Sequence, residues 1–129
     1  MGATKKPVIL CVDDDRSVHE ALVPQLRSRF GSDFLYETSE NTDDAWELVE
    51  ELLDDEFEIR VVISDWLMPM EKGDKFLIEL RKRLPDAKLI LLSGHVDEES
   101  VERAQNFAGL HAFVRKPWDK EQLLGLIED

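Results

Sequence analysis

A single cysteine, six glycines in 129 residues, a shortage of basic side chains and no long apolar run set the first bounds on this chain. One thiol excludes an intramolecular disulfide and any zinc site built on paired cysteines. It is Cys11, inside a short apolar run, so a buried and inert thiol is expected. No apolar stretch approaches the ~20 residues of a membrane-spanning helix. The run after Lys5 and Lys6, Val8–Val12, is too short for the core of a secretion signal, so the expectation is a cytoplasmic protein with no membrane association. The glycines form no loop that would cradle phosphate. Lys and Arg number 16 against 29 Asp and Glu, a net charge of −13 that repels nucleic acid and argues against direct DNA or RNA binding. His19, His95 and His111 are scattered without zinc-site spacing and read as ordinary surface or strand-end histidines.

What is present describes one globular domain, residues 1–129, with residues 1–6 expected to be a flexible N-terminus. Apolar residues make up 43% and charged residues 35%, proportions of a folded chain and not of a disordered one. Residues 37–58 hold eleven acidic side chains and no Lys or Arg, as a solvated helix face would. Apolar runs recur at 8–12, 34–36, 61–63, 89–92 and 112–114, spaced for a helix and two loops between strands rather than for hairpins. Helical spacing fills the gaps: Val18, Leu22, Gln25/Leu26 and Arg29/Phe30; Ala45, Leu48/Val49 and Leu52 behind a capping Asn41 or Thr42; Phe76, Leu77, Leu80 and Leu84 after Gly73-Asp74; Val101, Ala104 and Phe107/Ala108; and Leu123, Leu124 and Ile127. Pro24 falls inside the first helix and is expected to kink it without abolishing it. Alternating strands and helices, with strands apolar on both faces, specify a doubly wound parallel sheet in a three-layer α/β/α sandwich. The second strand is the most amphipathic and suits an edge.

The polar residues that follow the strands are the chemical signal. In open α/β sheets ligands bind beyond the carboxyl ends of the strands. Asp13, Asp14 and Asp15 follow the first run, Asp65 the third, Ser93-Gly94 the fourth and Arg115-Lys116-Pro117 the fifth. Carboxylates gathered at one sheet end repel unless a cation intervenes. An all-oxygen set fits Mg²⁺, with Mn²⁺ as an alternative, better than zinc. The DDDRSV stretch fails as an EF-hand loop because Val18 stands where the turn needs glycine. A divalent ion, an ammonium and a small hydroxyl are what a transferring phosphoryl group requires, and a carboxylate can be the nucleophile. Asp65, flanked by the other groups, is the best candidate.

These residues resemble the receiver domain of two-component response regulators over about residues 7–128. The matching stretches are VDDD at 12–15, SDWLMPMEKG at 64–73, LLSGH at 91–95 and FVRKPW at 113–118. The resemblance implies a flavodoxin-like, CheY-like five-stranded sheet in the order 2-1-3-4-5. It implies that Asp65 is phosphorylated by a sensor histidine kinase, a histidine phosphotransfer protein or a small phosphodonor. Asp14 would bind Mg²⁺ directly and Asp13 largely through water, with Asp65 and the Leu67 carbonyl as further ligands. Ser93 would hydrogen-bond the phosphoryl group, Lys116 would pair with it, and Gly94 would leave room for its approach. Phe113 takes the aromatic switch position, the Lys116–Pro117 peptide is expected to be cis, and residues 97–128 would form the output surface. Leu67 and His95 flank the path of hydrolytic attack and are expected to tune the phosphoryl lifetime, Leu67 by lengthening it. Trp66 and Trp118 would border the site, while Trp46 packs a helix face.

Two other readings share these residues. A phosphatase resembling the haloacid-dehalogenase group would place its nucleophile among Asp13–Asp15 and turn over repeatedly. A pseudo-receiver would use the same fold as an interaction module and never carry phosphate.

Overall fold

The computed structural model describes residues 5–65, 73–94 and 98–128. Five strands, β1 (Val8–Val12), β2 (Leu35–Ser39), β3 (Ile59–Ser64), β4 (Lys88–Ser93) and β5 (Ala112–Arg115), alternate with five helices. The helices are α1 (Arg16–Phe30), α2 (Thr42–Asp54), α3 (Gly73–Arg83), α4 (Glu98–Ala108) and α5 (Lys120–Glu128), and a 3-10 turn at Gly31–Asp33 leads into β2. All neighbouring strands are parallel, in the order β2-β1-β3-β4-β5. The amphipathic β2 is an edge, as its sequence predicts.

Strand pleating divides the core in two. Val8, Leu10 and Val12 of β1 point to one face and pack with Ala45, Val49 and Leu52 of α2 and Phe76, Leu77 and Leu80 of α3. Ile9 and Cys11 point to the other and pack with Val18, Leu22 and Leu26 of α1 and Leu123, Leu124 and Ile127 of α5. Each such Val, Leu or Ile is worth about 1.5–3 kcal/mol buried rather than exposed. Side chains of period 2 thus meet helix stripes of period 3.6 on both faces, which is why β1 is apolar throughout.

Local signals set the helix ends. Asp15 caps α1, its carboxylate accepting from the Ser17 N–H at 2.9 Å. Asn41, not the buried Thr42, caps α2 by accepting from the Asp44 N–H at 2.8 Å. Gly31 closes α1 at φ 58°, where a side chain would be strained, and donates its N–H to the Arg27 carbonyl. Helix α1 runs from Arg16 to Phe30 through Pro24. Pro24 is exposed, so the hydrogen bond its ring forfeits is lost away from the core. Of the expected flexible N-terminus, residues 1–4 lie outside the described residues. Lys5 donates to the Asp55 carbonyl and its ammonium lies 4.5 Å from the Phe57 ring centroid.

Candidate functional site

Parallel registry carries four strand ends to one place. The ladder continues one residue past the strands: Asp13 N–H donates to the Ser39 carbonyl at 3.0 Å, Asp65 N–H to the Val12 carbonyl at 2.9 Å and Lys116 N–H to the Ser93 carbonyl at 3.1 Å. The residues that stop being apolar are therefore held by the sheet itself. Asp65 is 7% exposed, Asp13 3% and Ser93 1%, while Asp14 is exposed. Carboxylate oxygens of Asp13, Asp14 and Asp65 lie within 4.8 Å of one another. The Lys116 ammonium donates to Asp13 Oδ2 at 2.7 Å and sits 3.5 Å from Asp65 Oδ2.

The electrostatics follow from burying this much charge together. Burial pushes the Asp13 carboxyl above its ordinary value of 3.8; hydrogen bonds from Lys116 and the Asp15 N–H pull it back, and the Asp65 charge pushes it up again. For Lys116 burial acts downward, but the hydrogen bond to Asp13 and the two carboxylate charges outweigh it and hold the ammonium above its ordinary range. Both directions express one condition: two buried carboxylates share one lysine. Three carboxylates within ligand range and a single ammonium make an oxygen-only donor set suited to a hard divalent cation. The donor chemistry fits Mg²⁺.

The sequence expectations divide here. Asp13, Asp14, Asp65 and Lys116 are brought together, with Ser93 buried at the end of β4 beside them. Asp15 is not part of the cluster: its exposed carboxylate is spent on Ser17, whose side-chain and backbone hydrogen bonds lower its pKa. Leu67 and His95, together with Trp66, Met68, Pro69 and Met70, lie outside the described residues. A Cβ on Gly94 would meet Lys116 Cβ at 3.8 Å, an ordinary contact. The Lys116–Pro117 peptide is cis. Trp118, expected at the border of the site, instead packs on the α1/α5 core and donates its indole N–H to Gln25 Oε1 at 2.9 Å. Trp46 packs edge-on against Phe76, centroids 5.5 Å apart. Phe113 is half-buried below the Arg115 guanidinium, 5.5 Å from the ring centroid, in a groove with Glu98, Val101, Glu102, Gln105 and Asn106 of α4.

Two residues, one beside the site and one at the opposite end of the sheet, were not singled out from sequence. His19, expected to be an ordinary surface or strand-end histidine, is 8% exposed on the inner side of α1 and bonds the Asp13 carbonyl through Nε2 at 2.9 Å. Its spacing from Val18, Leu22 and Leu26 was the available signal. Arg81 donates from Nε to the Ala108 carbonyl at 2.6 Å, from Nη2 to the Gly109 carbonyl at 3.0 Å, and from Nη1 to the Leu84 and Pro85 carbonyls at 3.2 and 2.8 Å. It closes the C-terminal ends of α3 and α4 together.

Known proteins share this fold. Residues 9–128 match the family model of the response regulator receiver domain. The chain is 33% identical over 121 residues to the hydrogenase transcriptional regulatory protein HoxA of Bradyrhizobium diazoefficiens, covering 94% of this chain but 23% of that protein. It is 28% identical over 122 residues to a chemotaxis protein CheY homolog of Campylobacter jejuni, covering 93% of this chain and 89% of that one. Among solved structures, a response regulator receiver protein from Pseudomonas putida superposes with a TM-score of 0.81 at 26% identity over 98% of each chain.

Proposed function

The chain belongs to the response regulator receiver family, and on that premise we propose that Asp65 accepts a phosphoryl group from a sensor histidine kinase or a histidine phosphotransfer protein. The observation that carries this reading is the carboxylate cluster of Asp13, Asp14 and Asp65 with Lys116 bridging two of its members. An Asp65 carboxylate oxygen attacks the phosphorus of the phosphohistidine. The new O–P bond forms as the P–N bond breaks, and the imidazole leaves with that electron pair and takes up a proton. A small donor such as acetyl phosphate reacts in the same way, with acetate leaving. Mg²⁺ held by Asp13, Asp14, Asp65 and the Leu67 carbonyl would neutralise charge on the phosphoryl oxygens. Lys116 supplies the second positive charge, exchanging part of its bond to Asp13 for one to the phosphoryl group. Ser93 donates its hydroxyl to another phosphoryl oxygen.

The product adds about −1.5 to −2 charge and new acceptor oxygens at the strand ends. Ser93 and Lys116 bind them more tightly in one of two packings, and that differential affinity moves a two-state equilibrium. Phe113 and the groove between α4 and β5 are the elements that would repack, presenting residues 97–128 to an output domain or partner. In this reading Leu67 and His95 tune the lifetime of the acyl phosphate, Leu67 by lengthening it. The chain is thus a phosphoacceptor whose own residues assist transfer and hydrolysis, working in the cytoplasm.

Intact-mass measurement after incubation with acetyl phosphate tests the assignment. Wild type with Mg²⁺ gains one phosphoryl group, whereas Asp65→Asn, or wild type without Mg²⁺, gains none. An adduct that survives Asp65→Asn and disappears in Asp13→Asn would replace the receiver reading with the phosphatase one. Absence of both adduct and Mg²⁺ binding would leave a pseudo-receiver.

A further inference from the structure

Asp13 is held at every polar atom. Its N–H donates to Ser39, its Oδ1 accepts from the Asp15 N–H at 2.9 Å, its Oδ2 accepts from Lys116, and its carbonyl takes Nε2 of His19 at 2.9 Å. Asp14 is different. Among the described residues no hydrogen bond or ion pair holds its exposed carboxylate, so its position is set by its backbone.

The Asp13 carbonyl and the Asp14 N–H belong to one rigid peptide plane. Fixing that carbonyl fixes the plane, and with it the direction in which Asp14 leaves the end of β1. The carbonyl can only accept, so Nε2 carries the hydrogen. The other ring nitrogen, Nδ1, is buried with no hydrogen-bond partner among the described residues. A buried polar atom left bare costs on the order of 1–3 kcal/mol, and an apolar side chain in this inner-face position of α1 would avoid it. Among the described residues, the hydrogen bond the histidine makes is the one to the carbonyl between the two carboxylates.

We propose that His19 is a positioning residue for the divalent-ion site, locking the Asp13–Asp14 peptide so that both carboxylates converge with Asp65. It acts through the backbone and touches neither the ion nor the phosphoryl group. The inference rests on the Mg²⁺ reading above, and its test separates the two failures.

Mg²⁺ affinity is measured by calorimetric titration on wild type, His19→Leu and His19→Gln, with Val18→Ala as a control for loosening α1 by cavity formation. Removing an outer-shell partner of a metal ligand costs about 10–100-fold in metal affinity, and a loss near ten-fold is expected for His19→Leu. Gln places an amide nitrogen close to the position of Nε2 and restores most of that affinity, while Val18→Ala leaves it near wild type despite a lower Tm. Phosphorylation by acetyl phosphate gives a second readout: in His19→Leu the Mg²⁺ concentration for half-maximal rate rises and the rate at saturating Mg²⁺ is kept. Wild-type affinity in His19→Leu would overturn the proposal, as would a Gln variant no better than Leu, or a control that loses as much. A wild type that binds no Mg²⁺ would overturn the metal reading itself and this inference with it.

Discussion

Asp13 shows at a single residue what the site costs the fold. A carboxyl whose folded pKa lies above its ordinary value is favoured in its protonated form by folding. Its stabilising effect is complete below 3.8 and is lost as the pH rises through the folded value, so at neutral pH the ionised group works against the fold. Asp13→Asn without divalent ions is therefore expected to raise Tm at pH 7, with the advantage shrinking toward pH 3.5 as wild type is protonated. Saturating Mg²⁺ should reverse the order, since only wild type keeps the ligand. A lower Tm for Asp13→Asn at pH 7 without metal would mean that the bond to Lys116 outweighs the burial. Cys11, two residues earlier, is 2% exposed and burial, followed by the Asp13 charge, pushes its thiol up to about 12. Iodoacetamide at pH 8 should leave it unmodified for as long as the protein stays folded, and label it on denaturation. Leu67 makes a third case: Leu67→Asn, by admitting water, should speed loss of the phosphoryl group, and an unchanged decay rate would remove Leu67 from the account.

Elements differ in how much of them the sequence exposes. β1, β3 and β4 are short apolar runs ended by polar residues, and the same change of character that ends each strand marks the site. The convergence of Asp13, Asp65 and Ser93 was legible for that reason: strand position and chemistry coincide in one residue. Helix caps were legible to within a residue, because Asn41 and Thr42 both suit the role and only backbone geometry chooses. Replacing the one that serves, Asn41→Ala, should cost about 1 kcal/mol in urea unfolding, whereas a Thr42→Ala cost would have to come from packing. Strand position alone does not separate Asp15 from Asp13 and Asp14, since three consecutive aspartates look equivalent until one is turned into the helix cap. Arg81 and His19 were hidden for another reason. Each acts on a backbone carbonyl that its own surroundings do not identify, and Arg81 reaches across 27 residues to Ala108. Arg81→Ala strands carbonyls at two helix ends and should cost about 2–3 kcal/mol. Lys offers no planar fork and should recover little of it, which hydrogen exchange at the end of α4 would resolve from a general loss of stability.

At the scale of the whole molecule, charge acts in two ways that a titration can separate. A net charge of −13 opposes compaction through general self-repulsion, and residues 37–58 concentrate much of it on the β2–α2 side. The cluster of Asp13, Asp14 and Asp65 opposes it locally, in a place that Lys116 only partly neutralises. Any salt screens the first effect, over about 8–10 Å at physiological ionic strength. Only an ion that binds the cluster relieves the second, and it adds stability as RT ln(1 + [L]/Kd), or about 2.7 kcal/mol at a hundred-fold excess over Kd. Tm should therefore rise modestly with NaCl, and more steeply with MgCl₂ matched for ionic strength. In Asp14→Asn the exposed ligand is gone but general repulsion is nearly unchanged, so the two salts should act alike. Two equal slopes in wild type would mean that the acidic cluster is screened and not occupied, and that the carboxylates at the strand ends serve something other than a divalent ion.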